Sequence, residues 1–192
     1  MTCHHVLKAF RGGRPLGGQG FFQFGPIRFD PENHLLSEDE SADLATFDLT
    51  QYLDLPGNGI ERAKCIEPTA WPPRQVESDD VLALAGFPGI WRNQIDVGHL
   101  QFYSFSSGAT GVDARGDRHL VTRIQIQQCL VDINRGLVTG SLGGLSGGPV
   151  FAWRKSPVLF AELVGFIIEY QEALDLMYIR RASCMNEAGQ LV

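Results

Sequence analysis

Ser146 sits in the segment Gly143-Gly144-Leu145-Ser146-Gly147-Gly148-Pro149-Val150, the stretch of the chain whose residue types and spacing point most directly to chemistry. A serine attacks an acyl carbon only where a substrate can reach its hydroxyl and backbone N–H groups face the oxygen that turns negative. Flanking glycines allow both the close approach and the dihedrals this needs. The same G-x-S-x-G pattern also describes an ordinary glycine-rich turn, so a base and an orienting acid have to be found elsewhere. All five histidines, His4, His5, His34, His99 and His119, precede Ser146. That excludes the α/β-hydrolase order of serine, acid, histidine and leaves the orders His-Asp-Ser and Asp-His-Ser.

The segment GGLSGGPV resembles the active-site serine segment, G-x-S-G-G-P, of the chymotrypsin-like (trypsin-fold) serine peptidases, bacterial members included. Thr2-Cys3-His4-His5-Val6-Leu7 resembles that family's T-A-x-H-[VC] segment and aligns its base with His5. Asp43-Leu44-Ala45 resembles its D-[IL]-A segment. Asp43 follows His5 by 38 residues and Ser146 follows Asp43 by 103, the family's order with a short gap before a long one. Gly86-Phe87-Pro88-Gly89 is similar to a G-[YF]-P turn of bacterial members, and Leu163-Val164-Gly165-Phe166 to the strand that carries the substrate-binding edge.

The resemblance implies an all-β fold of two six-stranded Greek-key barrels, with 1–70 a partial N-terminal barrel and 71–192 a C-terminal barrel bearing the nucleophile. It implies a serine endopeptidase in which His5 is the base, Asp43 orients it, Ser146 attacks, and the N–H groups of Gly144 and Ser146 form the oxyanion hole. Gly140 and Ser141 would floor the specificity pocket, with Ile168 and Tyr170 on the substrate-binding edge beside Glu169. Neither floor residue is acidic, so a small or apolar residue is expected on the acyl side rather than Lys or Arg. Leu145 stands where animal digestive members carry an Asp that pairs with a newly cut N-terminus, so activation by that ion pair is not available. The family has two strands before its His, and four residues stand there in this chain. Either the start is internal to a longer reading frame, or the chain is a truncated form whose first barrel is incomplete. The alternative function is an impaired homologue that binds peptides or proteins, and esterase or acyl-transfer chemistry would use the same three residues.

Other assignments are weaker. Read as an extended segment, residues 4 and 5 point to opposite faces, so only one of His4 and His5 faces a cleft. Asp48 has the opposite strand parity to Asp43 and reads as solvated, while His34, His99 and His119 have no motif around them.

Short strands must position these groups. Residues 11–20 read as a Gly-rich connection, and Phe21 to Phe29 as a hairpin edge broken at Gly25-Pro26. Asp43 to Leu49 alternates as a half-buried strand, and 54–80 is a turn-rich connector. Val81 to Phe87 is a short strand, Leu100–Phe105 and His119–Gln127 read as a hairpin with one wet face, and Pro149–Trp153, Leu159–Tyr170 and Leu174–Ile179 are further strands. Ser183 to Leu191 reads as a terminal helix capped by Ser183. No long helix is apparent.

The composition allows such a fold: 44% of the 192 residues are hydrophobic and 20% charged, enough apolar surface for a packed core. Sixteen basic against 22 acidic residues leave a net charge of -6 with no basic block, which excludes a phosphate-tracking nucleic-acid surface. Cys3, Cys65, Cys129 and Cys184 show no CxxC spacing and read as free thiols. Were Met1 removed, Thr2-Cys3-His4 would offer an amine and an imidazole to copper or nickel; otherwise no metal or cofactor is implied. No segment has the apolar length of a membrane helix and no signal-like segment is visible, so no membrane partner and a cytoplasmic location are expected.

Overall fold

A computed structural model describes residues 1–13, 20–25, 27–55, 60–61, 65, 70–91, 93–96, 99–101, 105–106, 110–124, 142–155 and 158–192. The chain divides into two compact units, Met1–Thr69 with Met185–Val192, and Ala70–Cys184.

The first unit contains helix α1 (His4–Gly13), the hairpin of β1 (Phe22–Phe24) and β2 (Ile27–Phe29), the single turn α2 (Pro31–His34), and the hairpin of β3 (Leu35–Asp39) and β4 (Leu44–Phe47). Thr2 exchanges both backbone hydrogen bonds with Ala45 at 2.9 Å, so the chain enters α1 directly from an antiparallel bridge to β4. Helix α1 places Leu7 in a core shared with Cys3, Ile27, Phe29, Leu44 and Ala45. Phe22 meets Phe10, Phe29 and Phe47 edge-on at centroid distances of 5.0, 6.1 and 5.6 Å, a geometry that ring quadrupoles favour. In the last turn of α1, where a cation complements the helix dipole, Arg11 bonds Glu32 at 2.8 Å and Glu38 at 2.7 Å.

Two expectations change here. Residues 11–13, expected in the Gly-rich connection, are the last turn of α1, where Arg11 is clamped by two carboxylates, and His5 lies on a helix rather than in an extended segment. The strand expected over 43–49 spans Leu44–Phe47 and does not alternate: Leu44, Ala45 and Thr46 are all buried. Thr46 tolerates this because its hydroxyl donates to Ser37 O at 3.3 Å.

The second unit holds ten strands among the described residues: β5 (Val81–Gly86), β6 (Asn93–Asp96), β7 (His99–Gln101), β8 (Phe105–Ser106), β9 (Thr110–Gly111), β10 (Ala114–Arg115), β11 (His119–Arg123), β12 (Pro149–Lys155), β13 (Leu159–Gln171) and β14 (Leu176–Arg181). Eight form one antiparallel sheet in the order β10-β11-β14-β13-β12-β5-β8, with β9 also paired to β5, and β6 pairs β7 separately. One face carries the core, built on Leu82, Leu84, Phe105, Leu120, Leu145, Val150, Val164, Ile167, Met177 and Ile179.

The structure is mostly β, as expected, but among the described residues no sheet closes into a barrel. The described residues of 100–105 and 119–127 do not pair with each other as the expected hairpin. Phe105–Ser106 pairs β5, and β11 is drawn between β10 and β14, where Leu120 and Thr122 become fully buried. Val121 is buried as well, so the wet face its alternation suggested is limited to His119 and Arg123 at the ends of β11. The expected helix at 183–191 is instead a short 3-10 turn, Ala182–Cys184, followed by a turn closed by the Met185–Leu191 bridge. Asn186 explains the difference: its N–H donates to Gln190 O and its side chain accepts from Gln190 N–H, satisfying the backbone locally.

Beneath the sheet, the buried Arg154 guanidinium bonds Glu162 at 2.7 Å, also bonds Asp80, and donates to the carbonyls of Arg74 and Gln75 at 3.3 Å. It thus ties the segment entering β5 to β12 and β13. Burial works to raise the Asp80 pKa, but the Arg154 hydrogen bond and the Glu77 N–H outweigh it and hold the carboxyl below its ordinary value. The associated stability is complete above the unfolded-state pKa and is lost as pH falls through the depressed folded one. Arg154→Met leaves two carboxylates poorly paired and is expected to cost about 3–5 kcal/mol in urea unfolding at neutral pH. Asp80→Asn should flatten the acid limb of the stability curve; an unchanged limb would refute the role of Asp80.

Candidate active site

His5 and Asp43 are brought together. His5 Nδ1 lies 2.8 Å from Asp43 Oδ2, and the His5 backbone N–H donates to Asp43 Oδ1 at 2.9 Å. The carboxylate therefore fixes the ring and at the same time satisfies one of the N–H groups that the first turn of a helix leaves without an intrahelical acceptor. With Nδ1–H donating to Asp43, Nε2 carries the lone pair, and it sits on an imidazole whose side chain is 53% exposed. Asp43 reaches this position because it closes the β3–β4 turn in the left-handed region, at φ 54°. Asp39 Oδ1 builds that turn by accepting from Ser41 N, Ser41 Oγ and Ala42 N at 2.7, 2.7 and 3.0 Å. Asp43 is thus a turn residue and not the first residue of a strand. His4 is directed elsewhere, its Nε2 lying 3.7 Å from Glu38.

In the second unit the serine segment is held from several sides. Leu145 is buried in the core, and a Cβ on Gly86 would stand 2.7 Å from its side chain. Gly89 N–H donates to Gly143 O at 2.7 Å, so the Gly86-Phe87-Pro88-Gly89 turn cradles the start of the segment. Its far end is strapped to β13, where Gly147 N–H donates to Ile167 O and Ile167 N–H to Gly148 O, both at 2.8 Å. Gly144 and Gly147 have φ 96° and 86°, which side-chain-bearing residues rarely adopt. Ser146 is half-buried, and its hydroxyl makes a long 3.5 Å bond to Ile168 O. The N–H groups of Gly144 and Ser146 meet no backbone acceptor among the described residues.

Of the substrate-binding expectations, Gly140 and Ser141 lie outside the described residues. Ile168 falls at the register shift between Ile167 and Glu169 in the β13–β14 pairing. Tyr170 donates its hydroxyl to Asp175 at 3.0 Å, and its ring packs on the core of the second unit. His34 is an ordinary hydrogen-bonded imidazole, with Nδ1 3.1 Å from Asp48 O and Nε2 3.2 Å from the Tyr52 hydroxyl. Asp48 is exposed and accepts from Thr50, while His119 is exposed on β11. The His99 side chain lies outside the described residues. Sequence reasoning missed Leu145 as the anchor of the serine loop and Ile167 as its strap. A lone apolar residue within a glycine-rich run was the available signal for the first.

No protein-family model matches the chain, and no similarity to a curated protein or a solved structure was found.

A Cβ on Gly144 would stand 2.6 Å from Gly89 N, on top of the left-handed penalty of about 1–2 kcal/mol. Gly144→Ala should therefore lower stability by more than that penalty. Gly12→Ala, on α1 with open space around it, should stabilise by up to about 1 kcal/mol. Chemical denaturation of both variants checks the pair; a neutral Gly144→Ala would show that the loop is not clamped as described.

Proposed function

We propose that the chain is a serine hydrolase acting on peptide bonds, with Ser146 as nucleophile, His5 as base and Asp43 as the group that orients the base. The observation that carries this reading is the His5–Asp43 pair: two residues 38 positions apart, matched on motif resemblance, hold each other through both ring and backbone. The serine segment adds support, since the N–H groups of Gly144 and Ser146 meet no backbone acceptor among the described residues and the Ser146 hydroxyl is only loosely engaged.

In this reading His5 Nε2 takes the Ser146 proton as Oγ attacks the acyl carbon, and Asp43 stabilises the imidazolium that results. The two N–H groups receive the oxyanion, a contribution of about 2.7–4 kcal/mol per donor in comparable sites. His5 then returns the proton to the leaving amine, and water hydrolyses the acyl-serine by the same route in reverse. Peptide or protein chains are the substrate class. A peptide-binding homologue without turnover is the second reading, favoured by the lack of a closed barrel among the described residues.

Catalysis needs Ser146 Oγ within about 2.6–3.2 Å of His5 Nε2, and a fluorophosphonate reports on that. Intact mass should show a single adduct that disappears in Ser146→Ala, and Asp43→Asn should slow labelling by about four orders of magnitude. An adduct that survives Ser146→Ala overturns the assignment. No adduct, together with measurable binding of an unstructured peptide, favours the second reading.

A further inference from the structure

The first unit holds a group of side chains that the proposed chemistry uses only in part. One ligand atom each from Cys3, His5 and Asp43 lies within 4.8 Å of the other two. Cys3 is fully buried, is not in a disulfide, and stands two residues before His5, directly after the Thr2–Ala45 bridge. Three ligands on one zinc ion, at bond lengths of about 2.0–2.3 Å, stand roughly 3.3–3.8 Å from one another. From a largest separation of 4.8 Å the group closes by roughly one ångström to reach that geometry, and if Nδ1 is the ligand its 2.8 Å hydrogen bond to Asp43 opens by about half an ångström as the metal replaces it.

We propose that Cys3, His5 and Asp43 form a binding site for a thiophilic divalent cation, with Zn2+ as the best-fitting ion. A thiolate and an imidazole select zinc over calcium or magnesium, which take oxygen ligands. On binding, the Cys3 thiol gives its proton to solvent and its sulfur bonds the metal. Thiolate, carboxylate, neutral imidazole and a doubly charged cation then sum to zero, which removes the cost of a buried thiolate. Three protein ligands leave a fourth position open, on the side where the His5 ring is exposed.

The binding stands on this geometry alone. Its consequence for turnover rests on the peptidase reading: metal on Nε2 takes the lone pair the base needs, and metal on Nδ1 puts the ring proton on Nε2. Either way the dyad is blocked, so the cation acts as a reversible brake.

Co2+ is the spectroscopic probe, added to the full chain under reducing conditions, with Zn2+ stoichiometry read by native mass spectrometry. One ion per chain is expected, with a thiolate-to-cobalt charge-transfer band that disappears in Cys3→Ser. Because Cys3 is buried and its replacement could disturb folding, His5→Ala and Asp43→Asn, at partly exposed sites, serve as second variants. Each should weaken binding at least about tenfold, whereas Asp48→Asn should not. No one-to-one binding, a band that survives Cys3→Ser, or full affinity in His5→Ala overturns the site. The labelling assay separates the two readings. Binding with no fluorophosphonate adduct in metal-free protein leaves the site standing and counts against the peptidase. Labelling of metal-free protein that Zn2+ slows and a chelator restores supports both, and labelling that Zn2+ leaves unchanged overturns the brake.

Discussion

Strand β13 is hydrogen-bonded along both edges, to β12 from Leu159 to Phe166 and to β14 from Gly165 to Gln171, and much of the second unit is fixed by how it meets these two demands. Where the two pairings overlap, at Gly165 and Phe166, the strands crowd so closely that a Cβ on Gly165 would stand 2.6 Å from Arg180 O. Just beyond, the β14 register slips at Ile168, and the β12 side has ended. That freed edge takes up the serine loop, through the two bonds between Ile167 and Gly147–Gly148 and the contact from Ser146 to Ile168 O. At its other end β13 carries Glu162 to Arg154, which fixes the sheet to the segment preceding β5. A single strand therefore links the ionic anchor of the unit to the position of its serine.

The first unit solves a different problem with a comparable economy of contacts. A helix beginning at His4 exposes N–H groups that need acceptors, and a carboxylate at that end is favoured both as an acceptor and by the helix dipole. Asp43 supplies it from a turn whose left-handed dihedral would be costly were Asp39 not accepting three hydrogen bonds across it. The Thr2–Ala45 exchange sets the distance between the two strands of chain, so His5 and Asp43 meet as a consequence of backbone pairing rather than of side-chain search.

The sequence was most informative where a pattern had one physical solution. Gly25 between aromatic runs turned β1 into β2, and the apolar runs of 81–87, 149–153 and 159–170 became β5, β12 and β13 because their residues suit a covered sheet. It misled where tertiary partners decided. Nothing local shows that Arg11 will be clamped by Glu32 and Glu38, which keeps α1 helical to Gly13, or that Asn186 and Gln190 will close a turn in place of a helix. The barrels expected from the family resemblance carried no such local signal, and the described strands form one eight-stranded sheet and three separate two-stranded ladders, none closed into a barrel. At the site, the motif resemblance singled out His5 and Asp43, while the left-handed turn that joins them was not legible, since Asp43 reads equally well as a strand residue.

Leu145 gives the serine loop a property that the motif alone does not. A glycine-rich loop is usually at the surface and able to move, yet here the residue before Ser146 is 2% exposed and packs against Gly86 in the core. Displacing Ser146 would therefore draw Leu145 out of that core, at a cost of about 1.5–3 kcal/mol for the lost burial alone. The loop position is thereby tied to the stability of the whole sheet, and Ser146 keeps its place without ordering by a ligand. His5 differs, with an exposed ring held by one carboxylate. In the proposed function the exposed imidazole would be the group that moves the proton or accepts the metal, while half-buried Ser146 is positioned by its buried neighbour Leu145.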